Sequence, residues 1–150
     1  MKYFSAVVMF LFLVGSASGQ SNNPLLGQWK TIDDETGRIK SVVEISEREG
    51  RFYGQIIELF RLPEEDQNPI CTGCEDDRKD QASLGMEIVR DMEASEQALE
   101  WEEGTICDPK TGKIYDCEMW LETENMDELK VRGYIFFLFR TQTWLRVGSE

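Results

Sequence analysis

Residues 127–135, DELKVRGYI, alternate between two kinds of side chain, with Leu129, Val131 and Ile135 on one side and Lys130 and Arg132 on the other. Residues 140–147, RTQTWLRV, follow after a short apolar run. A period of two is typical of a β-strand that turns one face to a core. The two runs therefore predict adjacent strands, and the rest of the sequence repeats the same theme.

Six further strand candidates precede this pair, and turn residues such as those of residues 33–37, DDETG, separate most of them. The six are residues 29–32, 39–46, 51–60, 85–91, 99–107 and 113–121. No long amphipathic helical pattern interrupts them. Short strands in sequential hairpins favour a meander that closes on itself, because closure removes exposed sheet edges. We therefore predict an all-β fold, a single up-and-down eight-stranded β-barrel.

The composition excludes several function classes. The chain has 150 residues, with 29 acidic and 16 basic residues, a net charge of -13 and no histidine. Catalysis by Ser-His-Asp or Cys-His groups and histidine metal sites are thereby excluded. The acidic balance argues against nucleic acid and against anionic membrane surfaces as partners. We predict no catalytic residue, no metal site and no cofactor.

Residues 1–19 have the features of a signal peptide. Lys2 precedes the apolar run of residues 6–14, and small residues follow up to Gly19. Nine apolar residues are too few to span a bilayer as a helix. We expect cleavage after Gly19, a mature barrel domain of residues 20–150 without an integral membrane segment, and a periplasmic or extracellular location.

A long polar linker, residues 61–83, breaks the rhythm of short turns and contains Cys71 and Cys74. In an exported chain, cysteines are first expected to form disulfides. If residues 109–112 form a four-residue turn, Cys107 lies opposite Ile114 and Cys117 points to the other face of the sheet. We therefore predict a Cys71–Cys74 disulfide, and the pairing of Cys107 and Cys117 stays open.

Several short motifs occur in a fixed order along the mature chain. They are residues 27–29 (GQW), 33–37 (DDETG), 41–45 (SVVEI), 53–54 (YG), 104–109 (GTICDP), 131–134 (VRGY) and 140–146 (RTQTWLR). As an ordered set they resemble a bacterial family of exported proteins of unknown function. The resemblance covers nearly the whole mature chain and implies a lipocalin-like barrel, without an established activity.

The same resemblance assigns structural roles at the two ends of the chain. By analogy with lipocalins, Trp29 would plug the base of the barrel, and Arg140 or Arg146 would cover it as a cation–π partner. The family pattern has glycines in the run before Arg140, where this chain has Phe136 and Phe139. That difference adds aromatic bulk at one end of the barrel.

Candidate ligand-binding residues come from the last two strands. Arg132 and Tyr134 share one face of the seventh strand, whereas Arg140, Gln142 and Trp144 share one face of the eighth. On neighbouring strands these side chains form one surface of Arg and aromatic groups, which suits a carboxylate or phosphate. The alternative is that the arginines balance nearby acids and the aromatics fill the core. Tyr53 completes the set of ligand-binding candidates.

We therefore expect an exported protein, not an enzyme, that binds a small apolar or amphipathic molecule non-covalently. One alternative is an envelope or extracellular protein-interaction module without a ligand cavity. A second is a thiol redox protein that uses Cys71 and Cys74. A lined cavity of about 300 Å³ or more would favour ligand binding over the first alternative. The sequence leaves the ligand, any protein partner and the oligomeric state open.

Overall fold

A computed structural model describes residues 22–149 of the chain as eight antiparallel strands. The strands are β1 (Gly27–Ile32), β2 (Ile39–Arg48), β3 (Arg51–Leu59), β4 (Glu87–Ala94), β5 (Glu100–Cys107), β6 (Ile114–Glu122), β7 (Asn125–Ile135) and β8 (Leu138–Arg146). Residues 22–149 contain no helix, and so none that could cross a membrane. The predicted signal peptide, residues 1–19, lies outside the described residues.

The strands close into one up-and-down barrel in the order β1 to β8. Each strand pairs with the next, and β8 returns to β1 through Trp29 opposite Arg146 and Lys30 opposite Leu145. Closure pairs every strand on both sides and leaves no free sheet edge. The predicted all-β, up-and-down eight-stranded barrel is confirmed.

The barrel interior is graded in size from one end to the other. Large side chains that are fully buried fill the half where β1 begins and β8 ends; they are Leu25, Trp29, Val43, Met92, Met119, Leu129 and Trp144. Small inward residues, Thr31, Ser41 and Gly133, lie in the other half. Bulky residues pack one half of the barrel as a solid core, and the small ones leave room in the other half.

The filled end is sealed by Trp29. The indole is completely buried, and its Nε1 donates a hydrogen bond to the carbonyl oxygen of Leu25 at 2.9 Å. The guanidinium of Arg146 lies 4.1 Å from the centre of the Trp29 rings. Arg146 also donates hydrogen bonds to the carbonyl oxygens of Pro24 (2.8 Å) and Met126 (3.1 Å). This arginine therefore ties the segment before β1 and the start of β7 over the plugged end.

Arg146 is thus the arginine that covers Trp29, and the alternative assignment to Arg140 is wrong. Arg140 lies at the opposite end of β8, where its Nε donates to a carboxylate oxygen of Asp34 at 2.9 Å. The strand length separates the two residues, because β8 runs the full height of the barrel wall.

Candidate functional site

The end opposite Trp29 opens into a cavity of about 1180 Å³. Four connections surround its mouth, namely residues 33–38, 60–86, 108–113 and 136–137. Eight-stranded barrels have an interior that side chains can fill or that one small ligand can occupy. Here the interior is filled only at the plugged end, so the open half is the candidate functional site.

The inner wall of the cavity is mainly apolar. Its apolar lining includes Ile56, Ile88, Ile106, Val131 and Trp144. Thr31 and Ser41 contribute hydroxyl groups, and these bond to each other at 2.7 Å. Because one hydroxyl donates to the other, one O–H hydrogen of the pair is left for a ligand to accept.

Gln142 is the polar side chain of β8 that reaches this wall. Within residues 22–149 its side chain makes one long hydrogen bond, 3.5 Å, in which Trp144 Nε1 donates to Gln142 Oε1. The amide nitrogen of Gln142 therefore remains a donor that a bound molecule can use. Tyr115 also lines the cavity with a phenol hydroxyl, and an apolar wall with a few available polar anchors is typical of small-molecule sites.

Charged residues are confined to the rim of the cavity. The basic ones are Arg38, Lys40, Arg61, Lys110, Lys113 and Arg140, and the acidic ones are Asp33, Glu35, Glu65 and Asp108. The backbone N–H of Thr36 donates to Asp33 at 2.8 Å and its hydroxyl at 2.9 Å, and these bonds lower the pKa of Asp33. Charge is thus kept at the solvent boundary, above an uncharged interior.

The linker predicted at residues 61–83 is folded against one side of the mouth. A disulfide joins Cys71 and Cys74, and both cysteines are buried. The stapled turn packs directly on the β5–β6 turn, since a side chain at Gly73 would meet the carbonyl oxygen of Thr111 at 2.3 Å. Gly112, at φ +76°, faces Gly73 just as closely. Glycine at both positions allows this backbone-to-backbone contact.

Ion pairs hold the same loop to β4. Arg78 is buried, pairs with Asp76, and donates to the carbonyl oxygen of Glu87 at 3.1 Å. The Arg78 guanidinium lowers the pKa of Asp76 to about 2. Arg90 of β4 forms a two-pronged contact with Asp77, at 2.7 and 2.9 Å. The loop is therefore an ordered part of the rim.

The remaining cysteines are free and buried. Cys107 lies opposite Ile114 and Cys117 opposite Gly104, as the predicted turn register required. The Sγ atom of Cys107 is 3.9 Å from that of Cys74. Burial raises the pKa of the Cys107 thiol, and it raises the pKa of Cys117 to about 12. Buried thiols with raised pKa values are poor nucleophiles, which disfavours redox catalysis here.

The structure separates the predicted ligand-binding residues into two groups. Arg140, Gln142 and Trp144 line the cavity. Arg132 and Tyr134 lie on the outer face, because β7 pairs with β8 so that Arg132 is opposite Thr141 and not opposite Gln142. The single surface of Arg and aromatic groups predicted across both strands does not form. The predicted surface needed Arg132 opposite Gln142. The actual register differs by one residue, which puts Arg132 and Gln142 on opposite faces of the sheet.

Arg132 and Tyr134 belong instead to a cluster on the outer wall. Arg132 forms an ion pair with Glu118 at 3.1 Å, and its guanidinium lies 4.7 Å from the rings of Trp120 and Phe139. Burial raises the pKa of Tyr134, and the hydrogen bond that its hydroxyl donates to Glu118 adds to the shift. These contacts fit the alternative in which arginines balance nearby acids.

Tyr53 also lies outside the cavity, on the outer face of β3. Its hydroxyl donates to Asp91 at 2.7 Å, and the guanidinium of Arg48 lies 3.6 Å from its ring centre. Its neighbours Phe52 and Gly54 are buried, so alternation along β3 places Tyr53 outside.

Several lining residues were missing from the sequence prediction. Val131 and Gly133 are on the same strand as Arg132 but on its other face, and Thr31, Ser41 and Ile88 lie on distant strands. The alternation within residues 127–135 contained the signal for Val131. The other lining positions depend on closure and strand register, which the alternation of a single strand does not encode.

An antiparallel eight-stranded barrel with an Arg-covered Trp plug at one end and an apolar cavity at the other has a lipocalin-like fold. The chain belongs to the bacterial family described as "Uncharacterized protein conserved in bacteria (DUF2147)", whose model matches residues 27–146. This confirms the resemblance drawn from the motifs. None of the curated proteins compared with the chain matches it.

A solved structure supports the fold assignment. The chain is similar to protein HP1028 from the human pathogen Helicobacter pylori, which belongs to the lipocalin family. The two share 18% sequence identity with a TM-score of 0.67, over 83% of this chain and 84% of the other. Similarity at this level of identity establishes the shared fold.

Proposed function

We propose that this protein binds a small, mostly apolar molecule non-covalently in the open half of the barrel, after export from the cytoplasm. The cavity of about 1180 Å³ is the observation that carries the proposal. Small-molecule sites are clefts of roughly 300–1,000 Å³ with apolar walls and a few polar anchors. The inner wall formed by Ile106, Val131 and Trp144, with Gln142 as an anchor, has that character.

The position of the charges favours an orientation for the ligand. Its apolar part would pack against Val131 and Trp144, where no charged group lines the wall. Any polar end would point outward, toward Gln142 and the charged rim that contains Arg140 and Lys113. An amphipathic molecule would thus lose little hydration at its polar end while its apolar part leaves water.

Two observations support ligand binding over the alternatives. A protein-interaction module without a ligand site would have a filled interior, whereas this cavity exceeds the ~300 Å³ that distinguishes the two. A thiol redox protein needs an accessible thiol of lowered pKa, and Cys71 and Cys74 are both buried.

Titration with a neutral apolar dye, N-phenylnaphthylamine, tests the proposal. The dye should bind with one molecule per protein. Gln142→Phe places a bulkier ring on the inner wall and removes the amide anchor, and it should weaken dye binding by about tenfold or more, equivalent to ~1.4 kcal/mol. Leu145→Phe is the matched control, because Leu145 lies on the outer face of the same strand and is 37% exposed.

The control should bind dye as the unmodified protein does, and both variants should unfold at nearly the same temperature. Equal binding by Gln142→Phe and Leu145→Phe would place the dye outside the barrel. That result, or the absence of dye binding to the unmodified protein, would refute the proposed function.

A further inference from the structure

The tip of the β7–β8 hairpin is an exposed apolar projection at the mouth of the cavity. Four consecutive residues, Phe136, Phe137, Leu138 and Phe139, are 95%, 86%, 63% and 62% exposed. Ile135 pairs with Leu138, so Phe136 and Phe137 form a two-residue turn. Isolated exposed apolar residues are ordinary, but a contiguous patch marks a surface that contacts something else. We call residues 136–139 the aromatic tip.

The backbone of the aromatic tip is unusual for its sequence. Phe136 has φ +52°, a left-handed conformation that two-residue hairpin turns usually assign to Gly, Asn or Asp. A bulky residue there costs stability, and the exposed Phe136 ring gains almost no burial within the chain in return. A phenylalanine at this position is therefore explained by a contact outside the chain.

The aromatic tip is continuous with the cavity. Ile135, Leu138 and Phe139 line the mouth, so apolar surface runs from the tip into the interior. Further exposed apolar residues surround the same end of the barrel; they are Phe60, Ile70, Leu84 and Ile114. Whatever covers the tip therefore also meets the entrance of the ligand site.

We propose that the aromatic tip inserts into the surface of a lipid bilayer without net charge and brings the mouth of the cavity to that surface. The ligand would then be a molecule that partitions into lipid and passes between bilayer and barrel without crossing water. Passage of the ligand rests on the proposed function, whereas insertion of the tip does not.

Shape and charge favour this occupant. The tip is a narrow convex projection, and a fluid lipid surface can deform around it. A rigid protein partner seated on the tip would cover the mouth that the cavity needs. Residues 133–139 carry no charge, and the net charge of -13 on the whole chain opposes approach to an anionic surface, although the rim itself has six basic and four acidic residues. Insertion by apolar contact into a zwitterionic bilayer meets neither obstacle.

Flotation with phosphatidylcholine vesicles tests the proposal. The unmodified protein should float with the vesicles, and added salt should not release it, because salt screens charge and not apolar contact. Phe136→Ser and Phe137→Ser should each lower the partition coefficient by about tenfold or more. Phe137→Trp should retain binding, since Trp also suits the membrane interface.

Val147→Ser is the matched control, because Val147 is an exposed apolar residue at the plugged end. All variants share the residues that precede the barrel, so the differences between them report the tip alone. Val147→Ser should float as the unmodified protein does. Equal flotation of Phe136→Ser and the control, or flotation only when anionic lipid is added, would overturn the proposal.

The dye titration without vesicles keeps this proposal separate from the proposed function. Normal dye binding by Phe137→Ser together with lost flotation supports both. Normal dye binding by an unmodified protein that never floats refutes the membrane proposal alone. Sedimentation could show a dimer that Phe137→Ser dissociates, while the unmodified protein does not bind vesicles. In that case the tip binds a second copy of the chain and the proposal is wrong.

Discussion

At the scale of single residues, the plugged end depends on one indole and one guanidinium. Trp29→Ala should lower the free energy of unfolding by about 3–5 kcal/mol, because it leaves a cavity in a fully packed region. In urea unfolding, the coupling between Trp29 and Arg146 should be on the order of 1 kcal/mol, measured with a double-mutant cycle using Arg146→Met.

Arg140→Met is the control for this cycle. Its ion pair with Asp34 is at the other end and is largely exposed, so its loss should cost less than about 1 kcal/mol and show no coupling to Trp29. A nearly neutral Trp29→Ala would mean that the indole is not a plug.

Replacing Phe136 should stabilise the protein. Phe136→Asn relieves a left-handed conformation that Asn tolerates better, and it removes no buried contact. The free energy of unfolding should rise by about 1 kcal/mol, measured by thermal or urea unfolding without lipid. Phe137 does not have a positive φ, so Phe137→Asn should give no such gain. Equal effects of the two variants would show that the conformation of Phe136 carries no cost.

At the scale of elements, the Cys71–Cys74 disulfide holds the loop of residues 61–83, and the free thiol of Cys107 lies beside it. Cys74→Ser should leave the barrel folded and make this loop sensitive to protease. Cys71→Ser should do the same only while thiols are kept reduced. With oxidised glutathione, Cys74 can form a disulfide with Cys107, whose Sγ is 3.9 Å away, and the loop should stay resistant. The measurement is peptide mapping after limited proteolysis, with and without oxidised glutathione. Identical behaviour of the two variants in the presence of this oxidant would contradict the arrangement.

The same loop should loosen in acid. The pKa of Asp76 is about 2, below its ordinary 3.8, because Arg78 favours the ionised carboxylate. Its contribution to loop stability is therefore complete above pH 3.8 and is lost as pH falls through about 2. Pepsin cleavage within the loop, followed against pH, should increase over this window.

Asp76→Asn should make the loop sensitive to pepsin already above pH 3.8, so that cleavage depends less on pH. Asp80→Asn is the control, since Asp80 is more exposed and contacts Lys79 only at 3.7 Å. A profile that Asp76→Asn leaves unchanged would assign the acid sensitivity to other carboxylates.

The elements themselves were largely predictable, whereas one strand offset was not. Alternation and turn residues located all eight strands, and a four-residue turn at residues 109–112 correctly placed Cys107 opposite Ile114. The β7–β8 turn contains Phe136 and Phe137, without the Asn-Gly signal that identifies a two-residue turn. The sequence therefore left open which residues of β7 share a face with Gln142. In the structure Val131 lies opposite Gln142, and Arg132 lies on the other face of the sheet.

At the scale of the whole molecule, the cavity arises from a gradient in side-chain size that several strands share. Trp29 and Trp144 fill one half of the barrel, and Thr31, Ser41 and Gly133 leave space in the other. These residues lie on β1, β2, β7 and β8, and they enclose a space only when the barrel closes. A list of apolar residues could therefore predict the barrel but could not distinguish a filled interior from an open one.

Native mass spectrometry of protein purified from its own host shows whether the cavity holds a small molecule. We expect a folded chain whose N-terminus is Gln20 and which carries one non-covalently bound small molecule that organic solvent releases. The same preparation of Gln142→Phe should carry much less of it, and Leu145→Phe should carry as much as the unmodified protein. A spectrum that shows only the unliganded chain, together with no binding of apolar compounds added afterwards, would mean that this barrel does not carry a ligand.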